Sequence, residues 1–531
     1  MQLTDVGVPT RAQRLIGVGP HLLTAGILAA FVLLAANFAH VQAIWVDETT
    51  QLSGLTLSPA EQLPWLAGEN ANRFGVPPDR QPPLSYFLGW TWSRIFGLTP
   101  LSMRYFGLAA VALAGLFVAA TATRVSGPWG GPLAATLFLL SPNVLGIAPE
   151  IRPYPLFLLW AAMGFWCLTH YARRPEAERG PWLWAITAVC LAASYTHYYG
   201  GVMTVALFGT MLLIARRDRA TLWPIVLAGA AYAILATGLV PFVAFAFRHS
   251  LQGQPTGSTG FIRLIYRLVA NPVLAVDHWA LGLMLAGVAG LAVFAFAGLW
   301  RDRDSSGIAI LAALAIGLAI VAAAGLILRK FDAYSPSYNI WLLPGLAVFL
   351  TLGLKGRSSL DWARVACAGA VCIALVWSGS VFAEHGPVFV HGPHKLMRAT
   401  VAKYGPKSIV IYENSSPWGF AYFPLRFDFG PDLGQDRVTD GPCCTIQPIN
   451  GNHAAPFASA LADRTTVIVV RLEQMNAVDL RRHLRVKPIT IEPGALSQTL
   501  AASPDWRRVA SDQSIAFVSA RVDVFVRARQ P

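Results

Sequence analysis

Two carboxylates stand side by side at Asp47-Glu48, directly after an apolar run that ends near residue 43. A carboxylate fixed there suits a general base that takes a proton from an incoming hydroxyl; it also suits a helix end that simply meets water. The same loop ends in Arg80-Gln81-Pro82-Pro83-Leu84, where two prolines set the entry angle of an aromatic stretch whose Tyr86, Trp90 and Trp92 suit an interfacial belt. Between two later apolar runs, Glu150-Ile151-Arg152-Pro153-Tyr154 places an acid, a guanidinium and a phenol. Thr196-His197-Tyr198-Tyr199 adds an imidazole among hydroxyls, and Arg329-Lys330-Phe331-Asp332-Ala333-Tyr334 adds a basic pair. Ionisable groups at the edge of apolar spans are costly, so a site is the default reading. The chemistry such a set supports is displacement at a carbon bearing a phosphate leaving group. The carboxylate activates the nucleophile, while the cations take up the charge growing on phosphate.

Several other chemistries lack their motifs. No Walker loop appears, and no G-x-G-x-x-G opens a helix after a strand. Asp302-Arg303-Asp304 has the D-x-D form that nucleotide-sugar enzymes use for a metal, but it lies in a short turn between apolar runs and reads as loop. No residue is assigned as a metal ligand and no motif demands a cofactor; a divalent cation stays open.

The elements that must position these residues are membrane helices. Of 531 residues, 55% are hydrophobic and 13% charged, against roughly a quarter charged in a soluble domain. Uncharged runs near the roughly 20 residues of a bilayer span recur at 21–43, 105–123, 128–147, 155–171, 181–197, 199–215, 221–246, 279–300, 306–328, 334–354 and 365–383. Eleven spans follow, the run 181–215 being divided at His197-Tyr198-Tyr199-Gly200-Gly201. Arg124, Arg173, Arg174, Arg217, Arg301, Arg303, Lys355 and Arg364 fall in loops on one side, which the positive-inside tendency makes cytoplasmic. The amino terminus is then cytoplasmic, and 44–104, 148–154, 248–278, 329–333 and the tail face outward. The net charge of +13 sits largely in these short loops, so it implies orientation and no nucleic-acid partner. Residues 385–531 hold 17 of the 41 Lys+Arg and 12 of the 28 Asp+Glu, a composition suited to water. Short β-like runs at 409–412 and 467–470, alternating with helical patterns near 394–404 and 474–485, predict a small α/β domain. The domains are therefore a membrane domain over 1–384 and an extracytoplasmic domain over 385–531.

Asp-Glu after the first span, a Pro-Pro-Leu helix start, Glu-x-Arg-x-Tyr after the third span and the Thr-His-Tyr-Tyr turn together resemble a known family. This is the polytopic GT-C glycosyltransferases of the protein mannosyltransferase and aminoarabinose transferase type, with the bacterial galacturonosyltransferase-like (Rgt-type) enzymes nearest. The resemblance implies an all-α polytopic GT-C protein of about 11 transmembrane helices with a small C-terminal α/β domain. It implies an inverting enzyme of the bacterial inner membrane that moves a sugar from a polyprenyl phosphate to a glycolipid, polysaccharide or protein acceptor at the outer face. By the same resemblance Asp47 is the base or the acid that orients the acceptor, with Glu48 beside it, and Gln81, Glu150, Arg152, Tyr154, His197, Tyr198, Arg329, Lys330 and Tyr334 contact substrate, Lys330 meeting the lipid phosphate. Relatives often carry His or Lys at the position of Gln81. The rival reading, a transporter or flippase of lipid-linked sugars, calls for midplane polar sites and internal repeats, and the sequence shows neither.

Overall fold

The computed structural model describes residues 11–69, 78–215, 219–250, 261–270, 277–327, 334–355, 361–386, 392–404, 408–412, 444–448, 461, 464–475, 479–480, 482–483 and 489–528. In chain order its helices begin with α1 (Arg11–Val41), α2 (Val46–Leu55), α3 (Pro59–Leu66), α4 (Leu84–Phe96), α5 (Pro100–Ser126) and α6 (Gly130–Leu139). There follow α7 (Pro142–Ile147), α8 (Tyr154–Arg173), α9 (Gly180–Thr196), α10 (Tyr199–Ala215), α11 (Arg219–Ala236), α12 (Val240–Ser250) and α13 (Phe261–Val269). The last are α14 (His278–Asp302), α15 (Ser305–Ile327), α16 (Leu342–Thr351), α17 (Asp361–His385), α18 (His394–Tyr404) and α19 (Ala495–Ala502).

Among the described residues, seven helical stretches are long and apolar enough to cross a membrane: Val18–Val41, Pro100–Ser126, Tyr154–Arg173, Thr221–Arg248, His278–Asp302, Ser305–Gly325 and Asp361–His385. The other predicted spans also fall on helices, but shorter ones. The run 128–147 is broken at Ser141-Pro142 into α6 and α7, because proline cannot continue the ladder of α6 but fits the first turn of a new helix. The run 181–215 divides at His197-Tyr198 into α9 and α10, as its turn residues predict. In 334–354 the helix starts only at Leu342, residues 334–341 forming turns. The chain is a polytopic α-helical membrane protein, since only helices that satisfy their own backbone can cross lipid in this way.

Two compact units are formed, Met1–Asn37 with Tyr105–Ser380, and Phe38–Arg104 with Val381–Pro531. The loop that carries the paired acids thus belongs with the carboxy-terminal part of the chain. In the first unit α8 is buried along nearly its whole length, while α11 and α14 leave apolar side chains such as Ile234, Val293 and Phe296 exposed for lipid.

The second unit contains a five-stranded sheet of β1 (Ser408–Tyr412), β2 (Cys444–Pro448), β3 (Thr466–Gln474), β4 (Trp506–Ser514) and β5 (Val518–Arg527), in the order β2-β1-β3-β5-β4. β1 runs parallel to β2 and β3, whereas β5 is antiparallel to β3 and β4. Strict alternation along the strands builds two cores. Val410, Tyr412, Ile468, Val470, Val522 and Val524 pack on Met397 and Val401 of α18. On the other face Ile409, Ile411, Val467, Val469 and Phe525 pack on Leu500 of α19. β1, β3 and α18 stand where the sequence predicts them, β2, β4 and β5 are additional to that expectation, and the helical pattern near 474–485 lies partly outside the described residues; this is the small α/β domain.

Candidate active site

Asp47 and Glu48 lie in the first turn of α2, where the helix dipole stabilises anionic side chains. Consecutive helical residues point about 100° apart, so the two acids meet different surroundings. Glu48 is fully buried and accepts a hydrogen bond from Arg104 at 3.0 Å. The same guanidinium donates to the carbonyls of Ala39 (3.1 Å), Gln42 (2.6 Å) and Ala43 (3.0 Å). Those carbonyls lie at and just beyond the end of α1, where orphan acceptors need donors. One cation therefore closes α1 and pins the start of α2, and Asp47 is left half-buried beside the pinned residue.

Sequence reasoning missed Arg104. It stands one residue before the predicted span 105–123, where a lone arginine reads as a loop charge; the helix begins earlier, at Pro100, and takes it in. Its partner acid is 56 residues away.

Gln81 is buried just before α4, which starts at Leu84 after Pro82-Pro83 as predicted. Tyr86 departs from the interfacial belt expected of it. It is fully buried, its phenol donates to Asp79 at 2.7 Å, and its ring meets Trp65 edge-on at 5.9 Å. Gly54 of α2 lies against both rings, and a Cβ there would collide with them, so the close approach of α2 to α3 and α4 requires glycine.

The other predicted residues belong to the first unit. Arg152 and Tyr154 are buried at the start of α8, Glu150 is half-buried in the preceding turn, and His197 is buried where α9 ends. His197 gathers an aromatic cage: Phe157 stacks at 5.1 Å, Tyr154 lies at 5.4 Å, Tyr338 at 5.5 Å and Tyr199 at 5.8 Å. Its Nδ1 accepts the Tyr199 amide at 3.2 Å, which places the ring proton on Nε2 as a donor. The positive charge of Arg152 acts on the ring. The turn is tight because Gly200 packs on the backbone of Ala193 and Ser194, where a side chain would not fit. Tyr198 is half-buried in the same turn. Tyr334 does not join the cage. Its hydroxyl donates to the Ala322 carbonyl at 3.3 Å, and Tyr338, four residues on, takes the place beside His197. Arg329 and Lys330 lie outside the described residues.

Asp302-Arg303-Asp304 is structural, as its sequence position suggested. Asp304 pairs with Lys355 and Arg173 and caps the Ser306 amide at 2.9 Å. Burial alone would raise its carboxyl, but the Lys355 hydrogen bond and the nearby cations hold it below the ordinary range. Among the described residues, no group of three or more His, Cys, Asp or Glu is placed to hold a metal ion.

Against solved structures, the chain matches ArnT from Cupriavidus metallidurans bound to undecaprenyl phosphate with a TM-score of 0.50 at 13% identity, covering 95% of this chain and 98% of that one. The chain has a GT-C fold. The apo form of the same ArnT gives a TM-score of 0.49 at 13% identity, covering 95% of this chain and 98% of that one. An oligosaccharyltransferase from Archaeoglobus fulgidus gives 0.47 at 11% identity over 84% of this chain and 68% of that one. No protein-family profile and no curated protein matches the sequence. In this GT-C chain the acid pair follows the first membrane helix and the His197 cage follows α9, each in its own unit.

Proposed function

We propose that the protein is an inverting glycosyltransferase of the bacterial inner membrane, taking its sugar from a polyprenyl-phosphate donor at the outer face and passing it to a glycolipid, polysaccharide or protein hydroxyl. Asp47 accepts the proton of the acceptor hydroxyl as that oxygen attacks the anomeric carbon. The bond from this carbon to the phosphate oxygen breaks, its electron pair leaves with the polyprenyl phosphate, and attack from the opposite side inverts the centre. Glu48, tied to Arg104, holds the turn that presents Asp47. Gln81, Glu150, Arg152, Tyr154, His197, Tyr198 and Tyr334 contact substrate, and Arg329 and Lys330 meet the leaving phosphate. Cations so placed stabilise charge that develops only in the transition state.

The observation that carries this reading is the division of labour in α2 within a GT-C fold. A buried ion pair fixes Glu48, and the adjacent acid stays half-buried on the same turn. Loss of a general base costs about 10²–10⁴-fold. Asp47→Asn should therefore fold normally and lose turnover by that factor in the purified enzyme, measured with a lipid-linked sugar donor. Near-normal turnover would remove Asp47 from the role.

A further inference from the structure

The carboxy-terminal domain has no role in the chemistry above, yet its first helix touches the segment that carries Asp47. Residues 42–45 between α1 and α2 are not helical, and the N-cap of α2, Trp45, makes no side-chain capping bond. The direction in which α2 sets off is thus decided by whatever holds this short segment. Arg104 holds it from one side, as described. From the other, the buried His394 accepts the Ile44 amide on Nδ1 at 3.3 Å, and Lys395 donates to the His40 carbonyl at 2.7 Å. Both residues open α18. One and two helical turns along, Met397 and Val401 are locked into the sheet core against Val410, Ile468 and Val522. The carbonyls of residues 39, 40, 42 and 43 are then all bound by cations, the charge that a helix carboxyl end favours. Partial burial and the nearby charge of Arg104 lower the Lys395 ammonium pKa from its ordinary value, in keeping with an amine drawn in against backbone beside another cation.

We infer that the carboxy-terminal domain is a positioning part of the catalytic apparatus, with His394 and Lys395 of α18 clamping residues 40–44 so that α2 presents Asp47 in its working orientation. The inference rests on the reading of Asp47 as the base. A catalytic group displaced by about 1 Å can cost on the order of 10²-fold, so a loosened rather than removed clamp should cost about tenfold.

The test uses the full-length enzyme with a polyprenyl-phosphate sugar and compares His394→Ala/Lys395→Met with wild type. The double variant should lower kcat about tenfold with donor KM within about twofold, while His394→Asn, whose amide oxygen can accept the Ile44 N–H, stays near wild type. Placed on Asp47→Asn, the double variant should cost nothing further, because the group it positions is gone. Hydrogen exchange supplies a readout independent of activity: amides of residues 42–50 should exchange faster while β3 and β5 stay protected. An unchanged kcat, a loss carried by KM, or the same fold-loss on the Asp47→Asn background would overturn the clamp. Loss of protection throughout β3 and β5 would overturn it too, by showing a folding role. If Asp47→Asn alone keeps full turnover, the assignment of the base has failed, and the exchange arm still decides whether α18 holds the turn.

Discussion

Arg104 serves two structures at once. It spends four hydrogen bonds on three backbone carbonyls and one carboxylate, all in a setting where its own exposure is 2% and that of Glu48 is 0%. Removing one partner of a buried ion pair costs about 3–5 kcal/mol, because the other charge is left without compensation. Arg104→Met should lower stability by that amount in thermal unfolding of the detergent-purified protein. Glu48→Gln keeps an acceptor of the same shape and should cost only about 1–2 kcal/mol. Equal losses in the two variants would show that the charge pair, and not the carbonyl contacts, carries the stabilisation. At this scale the sequence was half legible. The acids after the first span and the imidazole after α9 announced themselves by residue type at a membrane edge. The partners Arg104 and Asp79 did not, because the contacts that give them meaning join separate elements and leave no local pattern.

Helices and strands were legible to a greater extent, for a physical reason in each case. Bilayer thickness fixes the length of an apolar run, and each of the eleven runs falls on helix. The misjudged ends, at Pro100, at Ser141-Pro142 and at Leu342, are places where proline or a turn decides and hydropathy is silent. In the soluble-type domain continuous apolar runs marked β1 and β3, since each has one face on α18 and the other on α19. β5 carries a charge into that core. Asp523, buried, accepts from Arg521 at 2.8 and 3.2 Å. Burial would raise its carboxyl, yet the Arg521 hydrogen bonds and the hydroxyls of Ser511 and Ser497 hold it below the ordinary carboxylate value. A carboxyl depressed on folding contributes stability that is complete above its unfolded pKa, about 4, and is lost as pH falls through the lower folded value. Between pH 6 and pH 3, β5 amides in the full-length wild type should therefore lose more protection against hydrogen exchange than those of Asp523→Asn. Parallel slopes would deny the linkage.

On the scale of the whole molecule, the loop carrying the acids belongs to the same compact unit as the carboxy-terminal domain, a grouping that no boundary drawn along the chain at residue 384 could express. Loop arginines predict orientation. Reporter fusions at Arg217 and Arg303 should report cytoplasm, and fusions at Gly257 and Gly451 the exterior; a cytoplasmic signal at Gly451 would show that a span is miscounted. The central claim is that sugar arrives on a lipid phosphate. It is tested most directly by giving the purified protein, in lipid nanodiscs with an extracted envelope acceptor fraction, either a polyprenyl-phosphate sugar or a UDP- or GDP-sugar in separate reactions. Labelled acceptor and released polyprenyl phosphate should form from the lipid donor only. Transfer from the nucleotide sugar, with no use of the lipid-linked donor, would contradict it.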